Sequence, residues 1–300
     1  MEINSKNETF DLSIVVVGRN DDHGIGFFDR MVACMEFNRK NLLQAGVNAE
    51  FIFVDWAYDP GKPLFAQLLR DKLPWWHTAI AVHPDWQERL KENPRLAFLE
   101  FFAKNVGIRR ARSEFILATN CDIFFSKDLV RFLGRGKWLE DCLYRSVRID
   151  LLSAVGIDKI DYGILERPES VSFVRYPCPP YYDHASGDMQ FMSRKLWFQV
   201  GGYNERVRFS KIHKDSNLCA CVELKHQVPL KLVGSVYHFD HEMSYNENRL
   251  PFGPRNETAP YGPDWDWEVS YENPPHWGLG DQEVQAFPGD PSVFWIDYPN

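Results

Sequence analysis

The sequence lacks any apolar run that could cross a bilayer, any paired-cysteine motif, any excess of positive charge and any familiar hydrolase or phosphate-loop signature. Each absence removes a class of function. The first apolar stretch, Leu12 and Ile14 to Val17, is only about five residues long, against the ~20 of a spanning helix. No basic start with a longer apolar core marks a signal peptide, and a cytoplasmic location is the default expectation. Cysteines at positions 34, 121, 142, 178, 219 and 221 form no C-x-x-C pair, which reads as reduced, buried thiols rather than a disulfide framework. The sequons at Asn7 and Asn256 are then chance matches. A formal net charge of -8 argues against a nucleic-acid or anionic-membrane surface, so an anionic ligand has to be held by a local cluster. No H-E-x-x-H, G-x-S-x-G or P-loop spacing occurs.

What is present is a chain of 300 residues, 44% hydrophobic and 25% charged, enough for one large domain or for a domain with an elaborated tail. Leu12 to Val17 is a β-branched run ending at Gly18, as in a strand covered on both faces. Residues 26–45 carry Phe27, Met31, Cys34, Met35 and Leu42 at helical spacing, stopped by Gly46. Phe51 to Val54 is a second strand, closed by Asp55. Strand, helix and strand predict a βαβ start and an α/β sheet. Residues 63–73 read as a helix, 78–82 as a strand and 84–92 as a surface helix. A longer helix is expected from Asn93-Pro94, with Leu99, Phe102, Ala103 and Val106 on one face. Phe115 to Thr119 is the next strand and delivers Asp122 to the carboxyl edge, where open α/β sheets bind ligands. Residues 143–152 and 231–239 read as strands, 194–200 and 215–225 as helices. From residue 243 the chain is rich in Pro, Gly, Asn, Trp and Tyr without a period, and predicts an irregular tail packed on the domain.

Three strands end in polar residues: Gly18-Arg19-Asn20-Asp21-Asp22, Asp55 and Asn120-Cys121-Asp122. In a parallel sheet they share one edge, as a nucleotide requires: acceptors for base or ribose, donors for phosphates and a carboxylate for a divalent cation. Asp55 has two readings, an acceptor for a base or ribose and a cap for the turn before Pro60. Lys104 to Arg112 concentrates four cations, Lys104, Arg109, Arg110 and Arg112. Arg109 and Arg112 share a helix face. They read either as phosphate donors or as a basic last turn that complements the helix dipole.

These residues carry a resemblance. Gly-Arg-Asn-Asp after a strand, FIFVDWAYDP and KNVGIRRARSEFILATNCDIFFS resemble the nucleotide-sugar-binding half of GT-A fold glycosyltransferases of the family-2 kind. There an Asn-x-Gly-x-x-x-Ala helix, matched by Asn105, Gly107 and Ala111, precedes a strand and a DxD motif. GDMQFMSRKLWFQVGGYNE (187–205), KDSNLCACV and SVYHFDHE are similar to the acceptor-side half of galactosyltransferase-like members. The resemblance implies a Rossmann-like, mixed and mainly parallel sheet flanked by helices over 1–242. Residues 12–135 would bind the donor and 136–242 the acceptor, with 243–300 as an extension. It implies sugar transfer, as in polysaccharide biosynthesis, from a UDP- or GDP-sugar to a glycan or other hydroxyl acceptor. Asp215 stands at the catalytic base position. Gly18, Arg19, Asn20, Asp55, Asn105, Arg109, Arg112, Asn120 and Asp122 stand on the donor side, and Asp188, Tyr203 and Glu205 on the acceptor side. Asp122, His238 and His241 stand at the divalent-metal position, for Mn²⁺ or Mg²⁺.

The chain departs from the pattern twice. The first DxD carboxylate is Asn120, a neutral amide and a poorer metal partner. Lys214 replaces a usual Glu, and its ammonium is expected to favour ionised Asp215. In a straight strand His238 and His241 point to opposite faces, so both serve one site only if the chain turns. Trp197, Trp265, Trp267 and Trp277 are candidates for stacking on sugar rings or for core packing. Two other readings stand beside transfer. A sugar nucleotidyltransferase wants a glycine-rich basic loop that GRNDDHG does not supply, and a carbohydrate-binding protein would use the aromatic tail on a degenerate sheet edge.

Overall fold

The computed structural model describes residues 9–20, 26–152, 155, 157, 160–178, 186–210, 213–239 and 267–299. In chain order its strands are β1 (Leu12–Gly18), β2 (Ala49–Trp56), β3 (Thr78–Val82), β4 (Phe115–Thr119), β5 (Ile123–Phe125) and β6 (Leu143–Leu151). They continue with β7 (Val171–Arg175), β8 (Met189–Ser193), β9 (Leu230–Phe239), β10 (Gln285–Phe287) and β11 (Asp290–Ile296). The helices are α1 (Phe27–Gln44), α2 (Phe65–Lys72), α3 (Asp85–Leu90), α4 (Glu100–Arg110), α5 (Lys127–Gly134), α6 (Tyr162–Leu165), α7 (Arg194–Val200) and α8 (Lys214–Ala220). All strands join one mixed sheet in the order β10-β11-β3-β2-β1-β4-β8-β6-β9-β5, with β7 on β6.

The block β11-β3-β2-β1-β4 is parallel throughout, so every strand in it ends at the same edge. β8 runs antiparallel between β4 and β6, β6 and β9 are parallel, and β5 returns antiparallel on β9. β1, β2 and β3 are buried along their whole lengths, which explains their unbroken apolar runs. One face packs against Phe27, Met31 and Leu42 of α1 and Leu69 of α2. The other packs against Phe102 and Val106 of α4, Leu196 and Trp197 of α7 and Leu218 of α8. Among the described residues no helix is long and apolar enough to cross a membrane.

Three expectations change. The helix expected from Asn93 starts instead at Glu100. The Asn93 side chain accepts from Arg95 N at 3.0 Å, and Gln87 takes the helix's place by accepting from Leu99 N (3.0 Å) and donating to Leu96 O (2.7 Å). The described tail is not wholly irregular: β11 adds to β3 in parallel, with Trp295 opposite Ala81, and residues 240–266 lie outside the described residues. β5, α5, β7 and β8 were not read as elements. For α5 a local signal existed, since Ser126 caps it by accepting from Leu129 N. All six cysteines are free, as expected, though Cys178 is exposed.

Gly107 lets α4 lie directly on the sheet, because a Cβ there would sit 2.5 Å from Val15 Cγ1 and 3.3 Å from Val54 Cγ2. Gly107→Ala is expected to destabilise the protein by ~1–3 kcal/mol through overpacking, despite the better helix propensity of alanine. Urea denaturation checks this, and an unchanged or raised midpoint would show that α4 has room to lift.

Candidate active site at the carboxyl edge of the sheet

β4 ends at Thr119, so Asn120, Cys121 and Asp122 turn across the sheet edge before β5 begins. Opposite them, β8 starts at Met189, paired with Thr119, which places Asp188 beside Asn120. The contacts are specific: Asn120 Nδ2 donates to Asp188 Oδ1 (2.8 Å), Thr119 Oγ1 donates to Asp188 O (2.6 Å) and Lys104 Nζ donates to Asn120 Oδ1 (2.8 Å). Lys104 also donates to Gly187 O (3.1 Å) and pairs with Glu100 at 2.9 Å. Asn120 therefore has both polar ends occupied.

From β6, Arg148 extends the cluster. Its Nε donates to Asp150 Oδ1 (2.6 Å), its NH1 to Asp188 Oδ2 (3.0 Å), and its NH2 lies 2.9 Å from His238 Nδ1. Arg175 on β7 donates to Asp150 Oδ2 at 2.8 Å. Register accounts for this, because Asp150 pairs with His238 of β9 and with Phe173 of β7, and laterally paired residues share a sheet face. Burial opposes the charge on Arg148, but Asp188 and Asp150 outweigh it and hold the guanidinium above its usual range. Asp122 is 7% exposed, and its Oδ2 lies 3.7 Å from His238 Nε2. His241 lies outside the described residues.

Asp215, near the start of α8, reaches the same place. A Cβ added to Gly187 would lie 3.3 Å from Asp215 Oδ2, one residue from Asp188. Burial raises the Asp215 carboxyl above its usual value, opposed first by Arg145 and then by His213. Arg145 is itself buried, donating to Met189 O (3.0 Å) and Cys219 Sγ (3.1 Å). The expected help from Lys214 is absent. Successive helical residues diverge by about 100°, and the Lys214 ammonium turns under the Phe102 ring, 5.2 Å from its centroid. Fully buried there, and without a hydrogen-bond partner among the described residues, Lys214 is lowered by desolvation to about 7.

Further along the edge, Asp55 pairs laterally with Gly18 and Ala81. Its Oδ2 accepts from Ala66 N (3.0 Å) at the start of α2, so it is a helix cap, while its Oδ1 is buried without a hydrogen-bond partner among the described residues. Burial pushes Asp55 up to about 7, against the pull of the Ala66 and Phe65 amides. Asn20 is a structural tie, donating to Asp59 O and Pro63 O and accepting from Asp59 N. Arg19 lies over the Phe98 ring at 5.6 Å. Asp21 and Asp22 lie outside the described residues.

Several expected ligand residues are elsewhere. A helix feeding a parallel strand must return to the amino edge before that strand begins, so the end of α4 is remote from Asp122. Arg112 is bonded there to Glu50 (2.6 Å), and Arg109 lies over Trp277 at 5.2 Å. Asn105 is buried and joins Tyr203 O (2.9 Å), Tyr203 N (2.8 Å) and Glu205 Oε1 (2.9 Å). Tyr203 OH donates to Gln190 Oε1 at 2.5 Å, and Glu205 also accepts from Gly278 N at 2.7 Å. These three lock the segment at 203–205 and the tail to α4. Trp197 and Trp277 are buried in the core, Trp267 is partly exposed and Trp265 lies outside the described residues. Sequence reasoning missed Lys104 as a site residue, together with Arg145, Arg148, Asp150 and Arg175. A charged residue inside an apolar strand, as in LYRSVRIDL, was the available signal for Arg148 and Asp150.

A divalent cation needs several uncommitted ligands. Asn120, Asp188 and Asp150 are committed to Lys104, Arg148 and Arg175, and His238 Nδ1 faces a guanidinium. Among the described residues no group of three or more His, Cys, Asp or Glu forms a metal-holding set. The described side chains do not fit a metal centre.

No protein-family model and no curated protein matches the chain. Solved structures are similar in fold. The catalytic domain of Drosophila β1,4-galactosyltransferase 7 with xylobiose is 9% identical with a TM-score of 0.47, covering 95% of this chain and 92% of that one. A mutant of that domain with manganese, UDP-Gal and xylobiose is 11% identical at 0.47, with the same coverage. GalNAc-T7 with UDP, GalNAc and Mn²⁺ is 12% identical at 0.48, over 78% of this chain. The chain spans 44% of that protein's length.

With Asp55 raised from 3.8 to about 7, the folded state holds its proton longer than the unfolded state. Stability is therefore lost as the pH climbs between those values. Asp55→Asn keeps an acceptor for Ala66 N and removes the charge. Its stability advantage over the parent is expected to widen by on the order of 2–3 kcal/mol between about pH 5 and about pH 8.5. Urea titrations at both pH values check this, and parallel pH profiles would show that Asp55 is ordinarily ionised.

Proposed function

We propose that the protein is a glycosyltransferase that moves a sugar from a nucleoside-diphosphate donor to a hydroxyl acceptor with inversion. One observation supports the reading: Asn120, two residues before Asp122, bonds Asp188, and Asp215 Oδ2 lies near Gly187, so carboxylates far apart in sequence stand on neighbouring turns beside a parallel edge that also holds Asp55. In the reaction the acceptor oxygen forms a bond to the anomeric carbon as the bond to the diphosphate breaks. Asp215 receives the acceptor's proton. Its burial suits this work, since a carboxylate lifted above its usual value is a stronger base. Asp55 offers Oδ1 to an N–H or O–H of the nucleoside, and Asp122 faces the donor.

Asp215→Asn and Asp122→Ala are each expected to lower turnover by ~10²–10⁴-fold with far-UV circular dichroism and thermal midpoint retained. The assay is donor hydrolysis and transfer across UDP- and GDP-hexoses, with and without Mn²⁺. A variant that turns over normally removes its residue from the mechanism. For the parent, activity is expected to fall on acidification as Asp215 takes up its proton, and a rate flat into the acid range would exclude it as the base.

A further inference from the structure

Stacking on a sugar ring needs an aromatic side chain open to water, and Trp197 and Trp277 are spent in the core. Phe173 is open: it is 57% exposed, more than any other aromatic in a described strand or helix. Register fixes where it stands. β9 occupies one side of β6 along its whole length, so β8 and β7 share the other, β8 at Tyr144 and β7 from Arg148 onward. Because β8 is antiparallel to both β4 and β6, β6 runs toward the carboxyl edge. β7 therefore extends the line of β8 past Asp188 and forms the rim there. Phe173 pairs with Asp150 and Arg175 with Arg148, so both stand on the face where Arg148 reaches Asp188. Val174 takes the opposite face beside Ile149, which packs on the α1 side of the core.

Arg175 completes the surface. Its guanidinium lies over the Phe173 ring at 5.2 Å, and Asp150 pins it there by accepting from Nε at 2.8 Å. Among the described residues that bond is the whole of its hydrogen bonding, so both terminal nitrogens keep their N–H groups for a ligand, on a side chain 38% exposed. A pyranose has an apolar C–H face and hydroxyls around its edge. The first matches a phenyl ring and the second matches free N–H donors. Within this group Arg148 and Arg175 are balanced by Asp150 and Asp188, which gives an anion no net attraction and suits a neutral ring. Arg148 and Asp150 stand between Phe173 and Asp188, so the ring held here is the one behind the reacting sugar.

We propose that Phe173 and Arg175 form a platform for the second sugar ring of a glycan acceptor, its C–H face on the phenyl ring and its hydroxyls on the Arg175 N–H groups. The inference rests on the glycosyl-transfer reading and deepens it by naming the acceptor's class. An acceptor of two sugars then binds better than one of a single sugar.

Initial-rate assays of the full chain with UDP- and GDP-hexoses test it, using glucose, galactose, mannose and xylose and their β1,4-linked disaccharides as acceptors. Expected is at least one pair in which the disaccharide has a KM about tenfold below that of its monosaccharide. This preference is read on the wild-type protein and so stands whatever a variant's folding. Phe173→Ala should erase most of it by raising the disaccharide KM rather than lowering kcat, because a contact made alike in ground and transition states acts on KM. Phe173→Tyr, which keeps the ring, should retain it. Arg175→Met keeps a stem over the ring and removes the N–H groups, and an unchanged disaccharide KM would take Arg175 out of the platform. A preference that survives Phe173→Ala, a loss confined to kcat, or no disaccharide preference in any pair overturns the inference and leaves the transfer reading standing, as does donor turnover without transfer to any of these sugars. No turnover of any donor overturns both.

Discussion

The site depends on one ammonium group taken wholly out of water. Lys104 is fully buried, and an isolated charge there would cost several kcal/mol. It is tolerated because Glu100, Asn120 and the carbonyl of Gly187 surround it. Those three partners come from the first turn of α4, the end of β4 and the turn before β8, so satisfying one charge brings three distant segments to one point. Asp188 and Asp215 arrive through Gly187, and Asp122 through Asn120. If the charge were unpaired, the cost would fall on the turn that carries Asn120 and Asp122.

The same economy explains why several polar residues bind protein rather than ligand. Asn105, Tyr203 and Glu205 close a loop of hydrogen bonds that ties α4 to the segment at 203–205 and, through Gly278, to the tail. Arg110 adds to it by donating to the carbonyls of Gly278 and Leu279. Gly202 and Gly278 both have positive φ and stand where a Cβ would meet Asn105, so the chain passes too close there for another residue. These contacts hold the two halves of the sheet in a fixed relation, which a site assembled from β4, β6, β8 and α8 requires.

Much of the fold was legible. The runs at 12–17, 51–54 and 115–119 are buried strands, because a strand covered on both faces must be apolar throughout, and their polar ends do share the carboxyl edge. Asp55, Asp122, Asp188 and Asp215 were all singled out. Arg109 and Arg112 were assigned to the wrong edge, since charge density is visible in sequence but helix direction relative to the sheet is not. β8 and β11 escaped because their partners, β4 and β3, lie far away in sequence, and short strands gain their stability from pairing rather than from local pattern.

By itself the sequence determined that the runs at 12–17, 51–54 and 115–119 are buried strands with polar residues after them, since this follows from the residues' own transfer free energies and periodicity. Only the tertiary structure decided which polar residues gather at the carboxyl edge and which are spent tying other parts of the chain together. Hydrogen-bond capacity is finite, and it is pairing across the fold that committed both ends of Asn120 and set Arg148 against His238.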